Sequence, residues 1–255
     1  MAPIHNAFLA IATLASLTTA LSIPRTLWSL NKAAANPSLP LSKISNTNSP
    51  PLPTPSQPPK YILLGLGFQN YTCSSASSTY VQSTTQAGAI ADLYDITSIA
   101  TSSSGDKYTR STLKTFETCL KLTKCIPSVD NGYCETCHSI SSAAFTLSAT
   151  GKHVGTHYFD QISSLQLPNF SLPGLGGDFL SAKKISGAKA PSTAYKGANG
   201  LGAVDWLYLV DNGSGRSMGL GSVYRVETAG GVAPGKCGGG EMVQVPYAAE
   251  YWFYE

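Results

Sequence analysis

The chain has 255 residues, enough for one domain of about 150–200 residues plus extensions. Charged residues make up 12%, about half the usual share, so Ser, Thr, Gly and Asn must supply much of the wetted surface. The formal charge of +3 comes from residues 21–58, where Arg25, Lys32 and Lys43 meet no acid; the remainder balances at 14 basic against 14 acidic. A neutral body excludes nucleic-acid binding, which needs a clustered Lys/Arg face.

Residues 7–22, AFLAIATLASLTTALS, are uncharged, apolar and end in small residues. They are too short for a comfortable membrane span and read as a signal peptide over 1–20, cut near Ala20 or Ser22. No later apolar run of about 18 residues follows, so no span is expected after cleavage. Six cysteines and three N-x-S/T sequons, at Asn70, Asn169 and Asn212, agree with export to the extracellular space or cell wall. Nine of the sixteen prolines fall between Pro24 and Pro59, among Ser, Asn and Thr, so residues 21–58 are Pro-rich. The composition predicts an extended linker that does not pack.

The folded domain is expected at 59–255. YILLGLGFQNYTC (61–73) reads as a strand with Gly65, Gly67, Gln69, Tyr71 and Cys73 on one face, and AGAIADLYDI (87–96) as another. In RSTLKTFETCLKLTK (110–124) the period changes: Leu113, Phe116, Leu120 and Leu122 predict one amphipathic helix. Cys119, Cys125, Cys134 and Cys137 follow within 19 residues and are expected to pair among themselves, making 103–143 a disulfide-stapled helical insertion. GKHVGTHYFD (151–160) resumes the strand pattern. PNFSLPGLGGDF (168–179) reads as a Pro/Gly-rich loop, and SAKKISGAKAP as an edge strand guarded by its lysines. The tail is best specified: AVDWLYLV, SVYRVETAGG and VPYAAEYWFYE are short runs rich in Val, Tyr, Trp and Phe, bounded by turn residues. Together these predict a mainly β domain, a sandwich or closed barrel of about seven to nine mostly antiparallel strands.

The chemistry-bearing patterns are few. Cys134-Glu-Thr-Cys137-His138 has the spacing of a haem attachment site, but four further cysteines and an oxidising route favour structural disulfides. His153 and His157, two pleats apart on a strand, lie about 13 Å from each other, too far to share one metal ion. Gly65-x-Gly67 lacks the third glycine of a dinucleotide fingerprint, since residue 70 is Asn. No cofactor and no metal is expected. Asp92, Asp95, Asp160, Asp205, Glu227 and Glu250 lie in or beside predicted strands. A hydrolase would need two of them facing across a cleft. Arg225 beside Glu227 reads equally well as a structural ion pair.

The blocks G-x-G-x-Q-N-Y-x-C (65–73), A-x-A-D-L-Y-D (89–95), G-x-H-Y-F (155–159), V-D-W-L-Y-L (204–209), S-V-Y-R-V-E-T-A-G-G-x-A-P-x-x-C (222–237) and V-P-Y-x-A-E-Y-W-F-Y (245–254) resemble, in order, the secreted fungal and bacterial family called domain of unknown function 3455. The resemblance spans about 60–255 and implies export and a compact β-rich domain, not an activity. Some relatives carry a malate dehydrogenase label, which the missing cofactor fingerprint does not support. The resemblance places Cys73 and Cys237 together, implying a disulfide, and makes His157 the family histidine. The glycine-lightened strands at 65–73 and 151–160 then suggest a pocket over His157, with Gln69 and Tyr71 as polar groups. The competing reading has His157 buried and bonded to backbone. The functional expectation is a non-catalytic extracellular or wall-associated protein binding carbohydrate or a small apolar ligand. The alternative is an extracellular hydrolase acting through His157 or a carboxylate pair drawn from Asp160, Asp205 and Glu227.

Overall fold

The computed structural model describes residues 37–45, 47, 50–83, 88–100, 106–124, 137, 152–162, 165–238 and 241–255. The expected signal peptide, His138, Cys125 and Cys134 lie outside them. The described chain runs β1 (Tyr61–Ser74), β2 (Thr79–Gln82), β3 (Ala89–Asp95), α1 (Lys107–Thr123), β4 (His153–Ile162), β5 (Leu165–Leu172), β6 (Asp178–Ala188), β7 (Trp206–Asp211), β8 (Ser222–Gly230) and β9 (Met242–Tyr254).

Neighbouring strands pair antiparallel, and β9 returns to β1 along nearly its whole length, from Tyr61↔Phe253 to Thr72↔Met242. Eight strands therefore close into a barrel, leaving β2 as a hairpin arm on the far end of β1. Closure removes the free edges that an open sheet must protect. It also corrects two expectations. SAKKISGAKAP is not an edge strand: β6 pairs with β5 on one side and β7 on the other. The stretch read as a loop at 168–179 holds most of β5, with Pro168 opposite Phe159, and only Pro173–Leu175 forms a 3-10 turn. Proline is disfavoured within a sheet for its missing donor. Here Pro168 is paired only with Phe159 of β4, and the pairing of β5 with β6 begins one residue later at Asn169.

Side chains alternate across the barrel wall. Leu63 on β1 joins Phe170, Leu180, Leu209, Val223, Tyr251 and Phe253 in the interior cluster, drawn from strands all around the barrel. Ile62, Leu64, Leu66, Phe68, Trp206 and Trp252 face outward into a second cluster with Leu113 and Phe116 of α1. Both faces of β9 are thus buried, which is why VPYAAEYWFY is apolar nearly throughout. The glycines of β1 and β4 do not empty the barrel. At Gly65 the space is filled by the Tyr251 ring, 2.5 Å from where a Cβ would stand, and at Gly67 and Gly155 a Cβ would strike the backbone of Ile90 and Ser171. They permit close strand approach, not a pocket over His157.

α1 packs on the outer wall through Thr109, Thr112, Leu113, Phe116 and Cys119, with Phe116 and Phe68 ring centroids 5.3 Å apart. Cys119 is bonded to Cys137, which occupies one thiol of the C-x-x-C pair. Leu122, expected on the buried face, is 79% exposed. The expected linker packs as well: the compact unit begins at Asn36, Leu52 is buried in the outer cluster, and Leu39, Leu41 and Ile44 lie against it. Tyr224 donates its hydroxyl to the Pro53 carbonyl. Proline richness hid the few apolar side chains that anchor this segment.

Candidate functional site

One end of the barrel opens into a cavity of about 680 Å³, within the range of small-molecule sites. Inward-facing residues of five strands line it: Gln69 and Tyr71 on β1, Phe159 on β4, Ala182 and Lys184 on β6, Leu207 and Leu209 on β7, and Arg225 on β8. Val232 to Gly235, following β8, form part of the rim. That rim is fastened. Cys237 is bonded to Cys73 at the end of β1, the Tyr71 hydroxyl donates to the Gly231 carbonyl at 2.7 Å, and Asn199 donates to the Val232 carbonyl at 3.2 Å. Gly231 (φ 93°) seats the loop, because a Cβ would lie 2.9 Å from Tyr247 and Val204. The strands supply a rigid wall, and the disulfide and tyrosine hold the loop on it.

Arg225 carries the charge of this cavity. Its Nε and Nη2 donate to the Asp205 carbonyl at 3.1 and 2.9 Å, and it forms no ion pair among the described residues. Lys183 and Lys184 add two cations to the lining. The one lining carboxylate, Asp205, is answered by Lys189 at 3.1 Å. The buried Nε2 atoms of Gln69 and Gln166, both in the lining, make no well-aligned hydrogen bond, although the Gln69 side chain reaches the Tyr247 hydroxyl. Burial raises Tyr71 to about 12, with Arg225 opposing and Asp205 adding, so its hydroxyl remains a donor at neutral pH.

His157 is near this cavity but does not border it. It is 3% exposed, one pleat deeper than Phe159, with its ring stacked on Phe170 at 4.3 Å and 9°. Its Nδ1 lies 2.9 Å from the Asn169 carbonyl, so this nitrogen carries the proton and donates. Burial lowers its pKa to about 4; the Asn169 hydrogen bond opposes that shift and Arg225 adds to it. A neutral imidazole closed off from the cavity fits the backbone-bonded reading, and the pocket once expected over it is instead displaced toward Gln69 and Tyr71.

The carboxylates do not assemble into a facing pair. Asp160 is held by Arg216 at 2.7 Å, Asp205 by Lys189, and Glu227 by Lys43 at 2.6 Å. Asp92 meets His153 at 3.4 Å, and Asp95 accepts from Thr97. The expected Arg225–Glu227 pair is absent because a register slip between Val226 and Ala229 puts Glu227 at φ 46° on the outer side, toward Lys43. Glu250, also outward, accepts from Trp252 Nε1 at 2.9 Å; burial raises its pKa to about 8. Among the described residues, the cavity lining holds no His, Cys, Ser or Thr and a single carboxylate.

Two sequons are closed. Asn70 is 2% and Asn169 0% exposed, so neither side chain can carry a glycan out of the folded barrel. Asn212 is half-buried at a turn. Sequence reasoning missed Arg225, Lys183 and Lys184 as cavity residues. The signal was an arginine at an inward position of SVYRVETAGG, two residues from buried Val223.

Neither the curated proteins nor the solved structures include a match to this chain. A family model described as a protein of unknown function (DUF3455) matches residues 53–255, from the Pro53 that contacts Tyr224 to the last residue of the chain. The chain belongs to that family.

Proposed function

We propose that the domain is a non-catalytic extracellular binding protein that takes a small organic ligand into the mouth of its barrel. The observation that carries this reading is the composition of the cavity: a wall of Tyr71, Phe159, Leu207 and Leu209 with a few convergent polar groups and, among its described residues, no nucleophile beside a base. A fastened rim supports it, since a preformed site loses little order when it binds. Two disulfides and the apolar leader favour export. No helix among the described residues is long and apolar enough to cross a membrane. Asn212 is the sequon left for a glycan.

The test is a ligand-observed NMR screen of sugars, aromatic compounds and aliphatic compounds against the full chain, repeated with Ala233→Trp to fill the mouth. Binding that the variant loses supports the reading. Binding that it retains undiluted, or turnover of ester or glycoside substrates by the wild type, contradicts it.

A further inference from the structure

The cavity is lopsided in its hydrogen-bonding capacity. Arg225 spends two of its donors on a backbone carbonyl, also reaches the Tyr251 hydroxyl, and has no carboxylate partner among the described residues, leaving a full positive charge at the wall. Gln69 is 3% exposed and its side chain reaches the Tyr247 hydroxyl without forming a well-aligned bond from Nε2, while the buried Nε2 of Gln166, in the same cavity lining, has no acceptor. Lys183 and Lys184 stand at the opening. Against these donors stands Asp205, which already has Lys189. Glu241, at the outer rim beside Tyr80, is engaged by the Gly238 N–H. A buried donor without an acceptor costs free energy unless something supplies one. The rest of the wall, Tyr71, Phe159, Leu207 and Leu209, is apolar.

Resting on the reading of the mouth as a binding site, we propose that its ligands are small organic anions: an apolar body against Tyr71, Phe159 and the leucines, with an oxygen-rich anionic head on Arg225 and Gln69. A carboxylate or a sulfate meets the same donors. Both accept from a guanidinium in charge-assisted bonds, roughly twice as strong as neutral ones. The lysines at the opening attract the anion and make its association salt-dependent.

The test is isothermal titration calorimetry of the full chain at pH 7 with octanoate, octyl sulfate and octan-1-ol, and with cinnamate and cinnamamide. At least one anion should bind at least about tenfold tighter than its neutral counterpart, and the tighter of octanoate and octyl sulfate identifies the head group. Arg225→Gln should remove that preference while leaving the neutral probes within about twofold. Because Arg225 also braces Asp205, the exposed double variant Lys183→Glu, Lys184→Glu provides a second reading: anion affinity should fall and its salt dependence flatten. Neutral probes that bind as tightly as the anions overturn the anionic assignment and leave the mouth as a site. Unchanged anion affinity in both variants also overturns it. If no probe of either kind binds, the mouth reading fails and this inference with it.

Discussion

The two faces of one barrel wall differ in what stands in front of their buried polar groups. On the outer face, under α1 and residues 37–58, Glu227 is buried with Lys43 on it and Glu250 with the Trp252 indole, and apolar side chains seal both. On the inner face, toward the mouth, Gln69 and Arg225 are placed with donors to spare and with space in front of them. The outer face also leaves Glu250 Oε1, Trp206 Nε1 and Thr112 Oγ1 without partners, but none of these atoms borders the mouth cavity. The inner mouth is built for a partner from outside. Aromatic content does not distinguish the two: Tyr208, Tyr224 and Tyr254 form an outer ladder with centroids 4.5 and 5.5 Å apart, but Tyr224 and Tyr254 are buried and offer no platform.

The comparison breaks most severely where the mouth is tied to the rim. The Cys73–Cys237 bridge spans 164 residues of sequence, and the chain-entropy model gives its removal a cost of about 4–5 kcal/mol. A Cys73→Ala, Cys237→Ala variant should show this in denaturant unfolding and lose ligand at the mouth. A loss under about 1 kcal/mol would mean the loop is held without it.

Next is the outer seal. Leu52→Ala should cost about 3 kcal/mol, as for a fully buried leucine, and should leave mouth binding intact. A change within about 0.5 kcal/mol, the range of exposed positions, would return 37–58 to the status of a spacer.

Titration sharpens the contrast further. Glu250 has its folded pKa raised from 4.5 to about 8, so between those values the folded protein holds a proton that the unfolded chain has released. Stability should therefore fall as pH rises from about 4.5 to about 8. Glu250→Gln keeps an acceptor for Trp252 without the titration, and should be more stable than wild type at pH 9 by about 2 kcal/mol. An unchanged difference between the two proteins at pH 5 and pH 9 would show that Glu250 is solvated.

His157 has the opposite sign and the smallest effect. Its folded pKa is lowered from 6.5 to about 4, so the unfolded chain binds the proton first and stability is lost as pH falls through that window. His157→Leu should flatten this acid-side slope, at a fixed cost of about 1–3 kcal/mol from the orphaned Asn169 carbonyl.

Much of the barrel was legible in the chain. Alternating Val, Tyr and Trp marked the strands, and a change of period marked α1. The choice of a closed barrel over a sandwich was not, because the β1–β9 pairing joins segments about 180 residues apart and no local signal records it. β5 was hidden by Pro168, and the anchoring of 37–58 by a composition that swamps Leu39, Leu41 and Leu52. At the site, Gln69 and Tyr71 were readable from their shared face. Arg225 was legible in principle from its alternation with Val223, but the register slip that sends Glu227 outward breaks the ion pair the sequence suggested between them. The family resemblance singles out His157, yet its chemistry is set by Asn169 and Phe170, twelve or thirteen residues away on the paired strand. Burial of Asn70 and Asn169 likewise follows from register rather than from the sequon.

The claim that the inner mouth faces a ligand while the outer wall is structural is tested most directly by amide chemical-shift mapping of the full chain during titration with octanoate and, separately, octan-1-ol. The account predicts perturbations clustered at Gln69, Tyr71, Phe159, Leu207 and Arg225, with the outer ladder of Tyr208, Tyr224 and Tyr254 unmoved. Perturbations confined to that ladder or to α1, with the mouth silent, would contradict it.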